Sequence, residues 1–160
     1  MQNKTVFISG GTGSFGQAMA KDLLTKGVKQ VRIYSRDELK QHNMAAEFND
    51  TRLCFICGDI RDVDQLKRAS EGSDIFIHAA AMKRIEKCEA NPHEAVKTNV
   101  DGTLNAVRAC LDNNISDAIL ISTDKAVYPV NTYGATKLLA EKSWTQSNVY
   151  RGMNNATKFS

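Results

Sequence analysis

The chain has 160 residues, 42% hydrophobic and 24% charged, which suits one globular domain with a buried core. Its 21 basic and 18 acidic residues leave a formal charge of +3 and are dispersed, so no basic tail or stripe points to nucleic acid. No apolar run approaches the ~20 residues of a membrane span, and "MQNKTVFISGG" enters a strand pattern without signal-peptide anatomy, which makes the cytoplasm the default expectation.

In chain order, apolar β-rich runs alternate with helical patterns. "TVFISG" reads as a strand and "SFGQAMAKDLLTKG" as a helix; "QVRIYS" and "DELKQHNMAAEF" repeat the unit. "LCFICG" with "DVDQLKRAS" makes a third unit, and "DIFIHAA" with a long "NPHEAVKTNVDGTLNAVRACLDN" a fourth. "AILIST" with "NTYGATKLLAEKSWTQSN" makes a fifth. The strands are continuous apolar runs, as expected for a parallel sheet with helices on both faces. Five β–α units in series predict an α/β fold, a Rossmann-type doubly wound sheet with right-handed crossovers. There is no internal repeat and no low-complexity linker. The closing "GMNNATKFS" reads as a loop and the first residues of a sixth strand. A chain that stops there is expected to be a piece of a longer protein.

Cys54 and Cys57 form a CxxC, but they sit in a strand, where residues three apart point to opposite faces. No second CxxC or His pair follows at zinc spacing, so no metal is expected. Cys88 and Cys110 fall in helical patterns and read as fillers. His42, His78 and His93 are scattered, and no catalytic role is assigned to them.

"ISGGTGSFGQ" joins the first strand to the first helix. Gly11, Gly13 and Gly16 fit GxGxxG; Gly10, Gly13 and Gly16 fit GxxGxxG, with Ser14 and Phe15 between the last two. Early glycines let the backbone approach a pyrophosphate, the last lets the helix pack on the strand, and the helix N-terminus offers free N–H groups. At the first β–α junction this predicts a dinucleotide site over the domain 1–160. An acid about 20 residues on, at the end of the second strand, would select NAD. Here stands Ser35, followed by Arg36, with Lys40 a turn later. A guanidinium beside a small hydroxyl suits a 2′-phosphate, so NADP is favoured, although Asp37 intervenes. Two more strand ends belong to the same edge. "CGDIRD" offers Asp59 and Ile60 beside an adenine, and "HAAAMK" offers the small residues Ala79, Ala80 and Ala81 where a cofactor passes close to the backbone.

Tyr133 and Lys137 are four apart, on one helical face. A phenol is a poor base at neutral pH, but a neighbouring ammonium favours the phenolate, which can take a hydroxyl proton while hydride leaves the same carbon. Asp124 and Lys125 follow the fifth strand. They read either as an acid and a base near the reacting carbons, or as a salt bridge. Side chains of adjacent residues leaving a strand point different ways, which favours the first.

The combination "GGTGSFG", "YSRDELKQ", "GDIRD", "HAAAMK", "EAVKTNVDGT", "STDKA" and "NTYGATK" resembles the extended short-chain dehydrogenase/reductase family. Within it, the chain is similar to the N-terminal part of the inverting UDP-N-acetylglucosamine 4,6-dehydratases that make precursors of surface glycans. The resemblance implies NADP, a UDP-N-acetyl-hexosamine substrate and a homo-oligomer when intact. It further implies Thr123 (with Ser122 nearby) orienting the substrate, Asp124 and Lys125 eliminating water, Asn99 supporting the site, and Lys83 near the substrate. The family's C-terminal strands and most of its sugar- and uridine-binding surface would lie outside this chain, so residues 1–160 alone are expected to turn over little. "RIEKCE" departs from the family's apolar-proline stretch. A 4-epimerase would use the same tyrosine and lysine without needing an eliminating pair, and a non-catalytic NADP-binding module is the third possibility.

Overall fold

In the computed structural model, which describes residues 1–152 and 155–160, the apolar runs form six strands: β1 (Thr5–Ser9), β2 (Gln30–Ser35), β3 (Leu53–Cys57), β4 (Ile75–His78), β5 (Asp117–Leu120) and β6 (Lys158–Phe159). Every neighbouring pair is parallel, in the order β3-β2-β1-β4-β5-β6. This is the expected Rossmann-type doubly wound sheet. Strand order reverses between β1 and β4, and the crevice beyond their carboxyl ends is where such sheets bind ligands.

The helices are α1 (Ser14–Thr25), α2 (Glu38–Phe48), α3 (Val63–Ser70), α4 (Ile85–Ala90), α5 (Pro92–Val96), α6 (Gly102–Asp112) and α7 (Thr132–Tyr150). Strand residues alternate between two cores. Val6, Ile8, Val31 and Ile33 pack with Ala20 and Leu23 of α1 and Met44 of α2. Phe7, Phe76 and Phe159 face the other way, onto Leu66 of α3, Ala106 and Cys110 of α6, and Trp144 of α7. Asp37, Asp62 and Asn131 each accept a backbone N–H from the residue three positions on, closing the first turns of α2, α3 and α7.

Three expectations change. The long helix over 91–113 is α5, a π-helical turn at Lys97–Asp101, and α6. "RIEKCE" contributes a helix of its own, α4, because Cys88 and Ile85 pack into a small third core with Ala95 and Tyr133. Helices do not cover all of both faces: Asp117 and Ile119 of β5 are exposed. Residues 153 and 154 of the expected final loop lie outside the described residues. No helix among the described residues is long and apolar enough to cross a membrane.

Candidate active site

A cleft of about 550 Å³ runs along the carboxyl ends of the central strands, from Arg36 at one end to Tyr133 at the other. Gly10, Gly13, Ser14, Phe15, Gly16, Ser35, Arg36, Lys40, Ile60, Ala79, Ala80, Ala81, Lys83, Tyr133 and Lys137 all line it, so the sequence motifs converge on one site. Thr12, Thr98 and Ser122 line it as well.

The glycine loop is built for close approach. Gly10 has φ +70°, and a Cβ there would lie 2.7 Å from the backbone of Ala80. A Cβ on Gly16 would lie 2.4 Å from the Gly11 carbonyl oxygen. Unlike α2, α3 and α7, α1 begins without a side-chain cap, Gly13 standing at its N-cap position. Its first N–H groups are therefore available to an anion in the cleft. These features fit a dinucleotide pyrophosphate.

At the far end Ser35 Oγ accepts from Gln41 Nε2 at 3.1 Å, and the same amide donates to the carbonyls of Ser35 and Ile56. Asp37, the carboxylate that intervenes in the sequence pattern, also lines the cleft, but it bonds to its own helix. It caps Lys40 N and pairs with Lys40 Nζ at 3.1 Å, and these contacts hold its carboxyl below the usual range. Arg36 is largely exposed, with Asp59 at 3.8 Å. Asp59 is not among the cleft-lining residues; its carboxylate is forked onto Arg61 at 2.7 and 3.0 Å. Burial opposes ionisation of Asp59, yet Arg61 holds its carboxyl below the usual range.

At the near end the Tyr133 side chain packs with Cys88 and Ala95. Lys137 is buried and donates to the Ile121 carbonyl at 2.7 Å. Burial pushes its ammonium down to about 8, against the pull of Glu141, which accepts from Ser122 Oγ. Asp124 and Lys125 occupy a 3-10 turn (Asp124–Ala126) beside the cleft rather than in its wall. Here the expectation about adjacent side chains fails. The turn draws the two together, with Lys125 Nζ 3.3 Å from both carboxylate oxygens, in an exposed ion pair. Thr123 Oγ1 donates to Asp124 at 3.0 Å, and this bond, then Lys125, holds the carboxyl below its usual range. Asn99 lies beneath the cleft, almost fully buried.

Sequence reasoning missed several positions. A Cβ on Gly134 would lie 2.1 Å from the Lys125 carbonyl oxygen, so the tyrosine helix and the Asp124–Lys125 turn are pressed together at that point. Glu89 of α4 accepts from Thr132 N at 2.6 Å, a second cap on α7. His78 is buried between Ser9 and Thr103. A glycine one residue after the tyrosine was a visible signal for the first; nothing local marks the others. Cys54 is half-buried and Cys57 exposed, and the described residues contain no cluster of three or more His, Cys, Asp or Glu that could hold a metal.

The polysaccharide biosynthesis protein family matches residues 6–160. The chain belongs to this family. Within its reach, a Campylobacter jejuni protein named UDP-N-acetylglucosamine 4,6-dehydratase (inverting) is 46% identical over 158 residues, 98% of this chain and 47% of that protein. A Rickettsia rickettsii protein named UDP-glucose 4-epimerase is 44% identical over 144 residues, 88% of this chain and 42% of the relative. A Methanocaldococcus jannaschii protein, named an uncharacterised membrane protein, is 47% identical over 152 residues, 94% of this chain and 45% of its own. The X-ray structure of Pen from Bacillus thuringiensis superposes with a TM-score of 0.96 at 38% identity, covering 99% of this chain and 50% of that one. The chain thus spans about half the length of the curated relatives it matches.

Proposed function

We propose that the intact protein is an NADP-dependent UDP-N-acetylglucosamine 4,6-dehydratase, inverting at carbon 5, that serves nucleotide-sugar synthesis for surface glycans. The observation that carries this is the seam between the Asp124–Lys125 turn and the helix of Tyr133 and Lys137, closed so tightly at Gly134 that the two pairs form one unit. The name borne by the Campylobacter relative agrees with it.

Bound in the cleft, the nicotinamide dinucleotide would accept a hydride from the sugar and later return it. The chain's own residues move protons. Tyr133 takes the proton of the carbon-4 hydroxyl, helped by the ammonium of Lys137. The resulting ketone acidifies carbon 5. Moving one proton from Lys125 to Asp124 across their 3.3 Å contact yields a neutral amine and a neutral acid. A sugar nucleotide seated over the pair would exclude water from it and favour that neutral pair, since a low dielectric penalises charge. Lys125 then removes the carbon-5 proton, Asp124 protonates the departing carbon-6 hydroxyl, and water is lost. That step leaves Lys125 protonated and Asp124 ionised, the ion pair seen here. With hydride returned to carbon 6, carbon 5 would take a proton on the opposite face, which completes the inverted 4-keto-6-deoxy product and accounts for the one water lost. Thr123, bonded to Asp124, is the hydroxyl we assign to substrate orientation.

NADP over NAD is supported by Ser35 in place of an acid, by Asp37 being paired away, and by Arg36 with room to swing onto a 2′-phosphate. A 4-epimerase is the second reading. The ion pair as it stands is not yet an acid and a base, and the Rickettsia relative carries the epimerase name. Mass spectrometry of the product separates the two: a dehydratase product lacks one water, an epimer keeps the substrate's mass. We further take the intact protein to be a cytoplasmic homo-oligomer, and residues 1–160 to bind NADP yet convert little sugar nucleotide alone. Full conversion by residues 1–160 would refute that last point.

A further inference from the structure

One chain of hydrogen bonds runs from the sheet core to the tyrosine helix, through residues the mechanism above does not use. Thr103 Oγ1 donates to the Asn99 carbonyl at 2.6 Å. Its hydrogen is thereby committed, so at its 3.0 Å contact with His78 Nε2 it is the acceptor. The imidazole therefore carries its proton on Nε2, and Nδ1 accepts from Ser9 Oγ at 2.7 Å. Beyond this link, the Asn99 side chain uses both amide hydrogens and its oxygen. Oδ1 accepts from Met82 N at 2.8 Å, and Nδ2 donates to Met82 O at 2.9 Å and to Thr136 Oγ1 at 3.0 Å. Thr136 Oγ1 in turn donates to the carbonyl of Tyr133 at 2.8 Å.

Two features set this apart from ordinary core satisfaction. The two bonds to Met82 grip one residue by both its N–H and its C=O, and so hold the two successive peptide groups that join it to Ala81 and Lys83, which line the cleft. The amide reaches that loop from a π-helical turn, a local departure from α-geometry that concentrates at functional positions. A threonine in a helix commonly bonds only its own preceding turn. Here the free lone pair is taken by a residue 37 positions away, so the hydroxyl fastens the turn carrying Tyr133 to the loop after β4.

We propose that Thr136 is a positioning residue for Tyr133: its hydroxyl registers the tyrosine helix against the loop carrying Lys83 through Asn99, and His78, through Thr103, holds Asn99 in that register. In its bearing on turnover this rests on the catalytic reading above; the network itself does not. The test compares Thr136→Val, which keeps the shape and removes the hydroxyl, with Thr136→Ser, which keeps the hydroxyl. In this chain, Thr136→Val is expected to speed exchange of the Met82 amide hydrogen by about tenfold or more, with NADP affinity within about twofold of the parent. In the intact protein, turnover of UDP-N-acetylglucosamine is expected to fall about tenfold or more at unchanged KM. Thr136→Ser restores both exchange and turnover. If Thr136→Val prevents folding, Thr103→Val, two links further from the tyrosine, is expected to show the same exchange effect in weaker form. Parent-like Met82 exchange in Thr136→Val, or equal impairment by the serine and valine variants, overturns the proposal. An intact protein that leaves UDP-N-acetylglucosamine unchanged defeats the dehydratase reading instead, and the exchange comparison still decides the network.

Discussion

Replacing Gly134 with alanine probes the seam on which the proposed chemistry depends. Gly→Ala inside a helix ordinarily stabilises by up to ~1 kcal/mol. Here the new methyl carbon would sit 2.1 Å from the Lys125 carbonyl oxygen and 3.0 Å from Pro129 Cβ. Carbon–oxygen contacts are no closer than about 3.3 Å, so the turn and the helix must part by about 1 Å. Overpacking of this kind costs ~1–3 kcal/mol, which cancels the propensity gain of ~1 kcal/mol and leaves a net change of about 0–2 kcal/mol of destabilisation. Urea unfolding of this chain reads that directly. In the intact protein, a 1 Å displacement of Asp124 and Lys125 from Tyr133 is expected to lower turnover by about a hundredfold. NADP affinity stays within about twofold, because Gly134 does not line the cleft. A Gly134→Ala chain more stable than the parent by ~1 kcal/mol would refute the tight seam, since that is how an ordinary helical position behaves.

Further outcomes follow from other contacts. Arg36→Ala is expected to weaken NADP binding about tenfold or more while leaving NAD binding nearly unchanged; equal loss for both cofactors, by fluorescence titration, would remove Arg36 from 2′-phosphate recognition. Asn131→Ala, which leaves the Gly134 N–H without its cap, is expected to cost ~1 kcal/mol in urea unfolding; no loss would mean that Glu89 alone suffices to cap α7. His78 has its pKa pushed by burial from 6.5 down to about 3, so only the unfolded chain takes up its proton between those values. Stability is therefore fully present above 6.5 and falls as pH drops toward 3, by up to about 5 kcal/mol. A urea midpoint flat between pH 6.5 and 4.5 would contradict a neutral buried imidazole.

Much of this was legible because parallel strands buried on both sides show as continuous apolar runs, and because turn and cap residues are local signals. "TVFISG" followed by the glycine loop needed no distant partner to interpret. What escaped was set by contacts between remote segments. Glu89 earns a role only because Thr132, 43 residues on, offers its N–H, and His78 because Ser9 and Thr103 flank it across 69 and 25 residues. The long helix over 91–113 was read with the right period, but its π-turn answers to Met82 and Thr136, which helical periodicity does not register. Asp124 and Lys125 were found as a pair. Their contact was missed because a 3-10 turn, not a strand end, sets their side-chain directions.

The most direct test of the central claim is deuterium in the product. With UDP-N-acetylglucosamine in D2O, the intact protein is expected to release a product that lacks one water and carries a deuteron at carbon 5, and Lys125→Met is expected to abolish both changes together. Water loss with deuterium uptake at parental rates in Lys125→Met, or an epimer of unchanged mass from the parent, would contradict the role assigned to the Asp124–Lys125 pair.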